Sequence, residues 1–71
     1  MFVLTRSGIA IRSDLVYMFE IEEHEEGFDI IAHGVDDDMP IEYNVGEYCT
    51  FDEAYDALSE LLDMINSTIG Y

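Results

Sequence analysis

Lysine is absent from this 71-residue sequence, and both of its arginines, Arg6 and Arg12, fall before residue 20. Seventeen acids stand against them, for a formal charge of −15. The imbalance is uneven. Residues 1–19 hold the two arginines and Asp14, a net of +1, while residues 20–71 hold sixteen acids and neither Lys nor Arg, a net of −16. A small soluble domain is comfortable with a net charge of about 2–8 in magnitude, so this chain lies well outside the range. Like charge at that density works against the compact state, most of all at low salt. It also excludes direct binding to nucleic acid, which needs a basic surface.

Other shortages narrow the reading further. Cys49 is the single cysteine, so no disulfide forms within the chain, and a reducing cytoplasm is the expected compartment. No apolar run approaches the roughly 18 residues of a membrane span. "MFVLTRSG" lacks the charged-then-apolar order of a secretory signal. Nucleophile elbows, phosphate-binding glycine loops and zinc signatures are missing. Carboxylates are abundant, but paired-carboxylate catalysis needs a cleft that separates two pKa values, and one small core leaves little room for it. The expectation is a protein that is not an enzyme.

No cofactor or metal is expected either. Asp36, Asp37 and Asp38 lack the alternating acids, central glycine and closing glutamate of a calcium loop. His24 and His33 sit in facing strands without a third close ligand. Cys49 adjoins a helix start, yet Glu47, Asp52 and Glu53 crowd it with negative charge, so it reads as a small buried thiol.

What is present is clean periodicity. "FVLT" and "IAIR" read as short strands over about 2–5 and 9–12, joined by a glycine-bearing turn, and "SD" at Ser13–Asp14 marks another turn. A strand over 16–24 alternates, with Tyr17, Phe19 and Ile21 on one face and Met18, Glu20 and Glu22 on the other. After a tight turn at Gly27, a strand over 28–35 sets Phe28, Ile30 and Ala32 against Asp29, Ile31 and His33. "DDDMP" turns again, and a strand over 41–47 points Ile41, Tyr43 and Val45 inward. From Thr50 the period lengthens to 3.6, predicting a helix over 50–66 that ends at Ser67–Gly70. Thr50 and Glu53 form a capping-box pattern. The apolar stripe is Phe51, Ala54, Tyr55, Leu58, Leu61, Leu62 and Ile65. The fold class is α+β, one domain over 1–71, with a small antiparallel sheet of four to five strands and one C-terminal helix across its apolar face.

The acids themselves form the candidate site. Glu53, Asp56, Glu60 and Asp63 recur at i, i+3, i+7 and i+10, a single line opposite the apolar stripe with a mean step of about 5 Å. Glu20, Glu22, Glu23, Glu25 and Glu26 make a second ridge, and Asp36, Asp37 and Asp38 with Glu42 and Glu47 a third. Phosphates along one DNA strand advance about 3.4 Å each along the duplex axis, so the match is in kind. Repeated like charge at i, i+3 and i+4 costs a helix a few tenths of a kcal/mol per pair, and no lysine relieves it.

A tiny acidic chain with a short sheet, one helix and aromatics among its acids resembles the phage and mobile-element inhibitors that mimic DNA, of anti-CRISPR and anti-restriction type. The resemblance covers composition and layout over the whole chain, without a diagnostic motif. It implies a non-catalytic inhibitor, acting in the cytoplasm of a host cell, whose acids fill the groove of a basic nucleic-acid-binding protein. An RNA-guided nuclease, with PAM-reading arginines and a positive heteroduplex channel, is a suitable partner. Tyr43, Tyr48, Tyr55 and Tyr71 are candidate interface aromatics. The alternative is a small interaction module that forms a homodimer, or docks on a partner, through the nearly neutral edge offered by "FVL" and "IAI".

Overall fold

The computed structural model describes residues 2–69, with side chains through Ser67. In chain order it forms β1 (Phe2–Leu4), β2 (Ala10–Arg12), a 3-10 turn (Ser13–Leu15), β3 (Val16–His24), β4 (Gly27–Asp36), β5 (Met39–Tyr48) and α1 (Phe51–Ile69). The α+β class holds, but the strands do not make one sheet. β1 and β2 pair only with each other, and β3, β4 and β5 form a separate antiparallel sheet in that order. The 3-10 turn that Ser13 and Asp14 begin is the break, because it separates β2 from β3 without setting them side by side.

Local chemistry fixes each connection. Thr5 closes the first hairpin: its backbone N–H donates to Ile9 O at 2.8 Å, and its Oγ1 accepts from Ile9 N–H at 3.1 Å. Gly27 sits where an added Cβ would meet Tyr48 O at 2.3 Å, so only glycine fits there. Asp37 and Asp38 both have left-handed φ, 51° and 65°, as a type I′ hairpin turn demands. Asn-Gly is the usual choice for that turn, so two aspartates are an expensive one. Thr50 Oγ1 accepts from Glu53 N–H at 3.1 Å, which caps α1 and realises half of the capping box. The helix then runs to Ile69, beyond the expected end near residue 66. Gly70, read as part of its stop signal, lies outside the described residues.

Two bulges decide which side chains face inward. Tyr17 is the extra residue between the pairs Val16–Gly34 and Met18–His33. Val45 is the extra residue between Ile30–Gly46 and Ile31–Asn44. A bulge interrupts the period of two, and Tyr17, expected inward with Phe19 and Ile21, is instead 67% exposed. On the covered side, Val3 and Ile11 from the hairpin meet Ala32 and Ile65, with Val16, Phe19, Tyr43, Val45 and Leu61 packed around them. Burying each such aliphatic side chain stabilises by about 1.5–3 kcal/mol. Hairpin and helix therefore share one face of the three-stranded sheet. The stripe of α1 is narrower than its sequence suggested: Ala54 and Ile65 are buried, whereas Phe51, Tyr55 and Leu62 are exposed. Phe51 stacks edge-on against Phe28 and lies beside Tyr55, both at 6.0 Å between ring centroids. Ile31 was expected on the outer side, yet it is buried, between Glu20 and Asn44 in the register. Cys49, expected to be buried, is exposed.

Candidate acidic interface

Sixteen of the seventeen acids are exposed, and only Asp29 is half-buried. They divide by the elements that carry them. Asp52, Glu53, Asp56, Glu60 and Asp63 lie on the outer surface of α1. Glu25 and Glu26 occupy the β3–β4 turn, with Glu23 at the end of β3, and Asp36, Asp37 and Asp38 surround the β4–β5 turn. These turns join opposite ends of β4, so acids stand at both ends of the sheet. Its uncovered face carries the rest except Asp14, which lies in the 3-10 turn. Glu22, Asp29 and Glu47 are directly opposed across β3, β4 and β5. Neighbouring strands lie about 4.8 Å apart, so these three form a cross-strand row with nearly the step of the helix row.

Compensation separates the two faces. On the sheet, Arg6 Nη1 donates to Glu47 Oε2 at 3.0 Å. His24 Nε2 pairs with Asp29 Oδ1 at 3.0 Å. His33 lies between Glu20 Oε1 at 3.2 Å and Glu42 Oε2 at 3.6 Å. Near the hairpin, Arg12 holds Asp14 with two bonds of 3.1 and 2.7 Å. The five acids of α1 make no ion pair among the described residues, nor do Glu22, Glu23, Glu25, Glu26, Asp36, Asp37 and Asp38. Of the fourteen acids in the three ridges, Glu20 and Glu42 lie beside His33 and Glu47 is held by Arg6. Asp52 belongs with the unpaired set, and its place beside Glu53 in the first turn was the signal for it. Asp29 was in none of those ridges, and Glu47 was grouped with Asp36–Asp38 and Glu42 rather than with Glu22. Strand register alone brings them together, and spacing along the chain does not show it.

His24, Asp29 and Glu47 offer one ligand atom each within 4.8 Å of one another, which invites a metal reading. The hydrogen bonds speak against it. Glu26 N–H donates to His24 Nδ1 at 3.2 Å, so Nδ1 is the acceptor and Nε2 carries the proton given to Asp29. A metal-binding imidazole has the reverse pattern, with its far nitrogen donating. Glu47 is meanwhile held by Arg6. His24, bonded to Asp29 and to the backbone of Glu26, ties the β3–β4 turn to the sheet.

The tyrosines fall in different places. Tyr43 packs into the core cluster, Tyr48 is half-buried, and Tyr55 is exposed beside Phe51. Tyr71 lies outside the described residues. No helix of the described residues is long and apolar enough to cross a membrane. No family model, curated protein or solved structure matches this chain.

Proposed function

We propose that this protein is a non-enzymatic inhibitor that presents rows of carboxylates in place of DNA phosphates and occupies the groove of a basic nucleic-acid-binding protein. An RNA-guided nuclease is the partner class that best fits such rows, because its DNA channel is lined by cations that contact the backbone. One observation carries the reading: the acids of α1 are exposed, aligned and without an ion pair among the described residues, while on the sheet face Arg6 and the two histidines take up Glu47, Asp29, Glu20 and Glu42. The helix row is accordingly the leading contact surface. The glutamates of the β3–β4 turn and the aspartates of the β4–β5 turn extend it at either end. The repulsion retained on α1 and the left-handed aspartates at Asp37 and Asp38 cost stability, and a basic partner is what would return it. Electrostatic attraction of this kind gives fast association and strong salt dependence.

The test uses the tagged chain as bait in host lysate at low salt and at about 0.5 M NaCl, where the Debye length is only a few ångströms. Wild type should retain a basic nucleic-acid-binding protein at low salt, release it at high salt, and be displaced by duplex DNA. The variant Glu53→Gln, Asp56→Asn, Glu60→Gln, Asp63→Asn should lose most of that capture. Its fold should gain about 1 kcal/mol in chemical denaturation, because like-charge pairs at i, i+3 and i+4 disappear. Equal capture by variant and wild type would end the helix-row assignment.

A further inference from the structure

The acids leave one surface bare. The outer face of the β1–β2 hairpin presents Phe2 and Leu4, 65% and 67% exposed, beside Ile9. Next to it a groove of about 410 Å³ runs between β3 and α1, walled by Val16, Tyr17, Met18, Phe19, Leu58 and Leu62. Its charged wall residue is Asp14, whose two oxygens are both taken by Arg12. Knob and hole adjoin: Phe2 pairs with Arg12, the residue immediately before Ser13 in the groove wall.

We propose that this patch is a homodimer interface, in which the Phe2–Leu4 face of each copy enters the groove of the other. The proposal does not depend on the DNA-mimic reading. A surface that carries a protrusion beside its complement is matched to itself under a two-fold axis, the commonest symmetry of soluble oligomers. Charge selects the same occupant. A basic partner is drawn to the acidic faces rather than to this patch; a second copy brings a matching apolar patch and turns its acids away, so that its repulsion is long-range and screened by salt. Six half-exposed apolar side chains, Phe2, Leu4, Ile9, Tyr17, Met18 and Leu62, amount to on the order of 600 Å² per copy. That meets the lower limit of a specific interface and implies a reversible dimer of roughly micromolar affinity. Addition of strands edge to edge is blocked instead. A β3–β3 pairing would oppose Glu20, Glu22 and Glu23, and β5 carries Pro40 and gives its Asn44 carbonyl to Arg6 N–H at 2.9 Å.

Sedimentation velocity of the isolated chain over about 5–300 µM tests the proposal, since mass action makes a dimer of this affinity appear within that range. The expected result is a mass that doubles with concentration. Association should tighten several-fold from about 0.05 to 0.5 M NaCl, because salt screens the repulsion between two acidic copies. That is the opposite of the salt response of a basic-partner complex, so failure of either reading is seen separately. Leu4→Glu, on the knob, and Met18→Glu, on the groove wall, should each weaken association more than tenfold with an unchanged far-ultraviolet circular dichroism spectrum. A chain that stays monomeric throughout overturns the proposal, as does a dimer that neither variant weakens. A monomer that binds neutral phosphatidylcholine vesicles through these residues assigns the patch to lipid and overturns it equally.

Discussion

The β1–β2 hairpin turns Phe2 and Leu4 to solvent and carries both arginines, whereas the sheet and helix beneath it turn fifteen of their sixteen acids outward. The two regions nevertheless share one core: Val3 and Ile11 come from the hairpin, Ala32 and Ile65 from the acidic body. Burial is what joins them, since among the described residues the side-chain charge contact between them is limited to the exposed pair Arg6–Glu47. A surface of −16 thus keeps its neutral cap through apolar packing, which salt and pH leave nearly untouched. The division of labour follows: the body is shaped by charge, the cap by contact.

The most severe way to break that arrangement is to remove the joint. Ile11→Ala deletes a side chain 7% exposed at the centre of the shared cluster and is expected to cost about 2–5 kcal/mol in urea unfolding. For a chain of this size that is a large part of the total. Native-state hydrogen exchange should show the β1 and β2 amides losing protection first, with β4 retaining most of its own. Uniform loss across all strands would mean that hairpin and body fold as one unit and differ at the surface alone.

Every helix and strand segment was legible in the sequence, because alternation from Val16 to Tyr48 and the 3.6 period from Phe51 are both strong. The division into two sheets was not. "SD" signalled a turn at Ser13–Asp14, but a turn signal does not say whether the next strand pairs with the last. Tyr17 was misplaced because period-two counting assumes an unbroken ladder, and the bulge there adds one residue. The same counting set Ile31 outside. It does lie on the uncovered face, yet flanking side chains shelter it, and alternation cannot register shelter. The acidic rows of α1 were readable from spacing. The cross-strand row Glu22–Asp29–Glu47, and the contacts of Arg6, His24 and His33 with carboxylates of the sheet face, became visible only with the fold.

A gentler test acts on the acidic body. Asp38 holds φ at 65°, where a residue with a Cβ is disfavoured by roughly 1–2 kcal/mol. Asp38→Gly should therefore stabilise the protein by about 1 kcal/mol, read as a higher urea midpoint with an unchanged slope. It also removes one charge from the triple-aspartate turn. If partner capture falls while stability rises, the turn trades stability for binding; if capture is unchanged, the contact is confined to α1.

The smallest effect lies at the exposed tie between cap and body. Arg6 Nη1 and Glu47 Oε2 are 3.0 Å apart with side chains 52% and 43% exposed, so water competes for both. Exposed pairs of this kind contribute about 0.2–1 kcal/mol, and less as salt rises. A double-mutant cycle with Arg6→Ala and Glu47→Ala should return a coupling in that range at low ionic strength, and about half of it or less at 0.5 M NaCl. Glu47→Ala alone also relieves one negative charge beside Asp29, its directly opposed neighbour, so its single-variant effect should be smaller than that of Arg6→Ala. Arg6 keeps its backbone bond to Asn44 O in either variant. A coupling of zero would therefore assign the hairpin's attachment on this side to that backbone bond and to the buried Val3 and Ile11, with the ion pair a bystander.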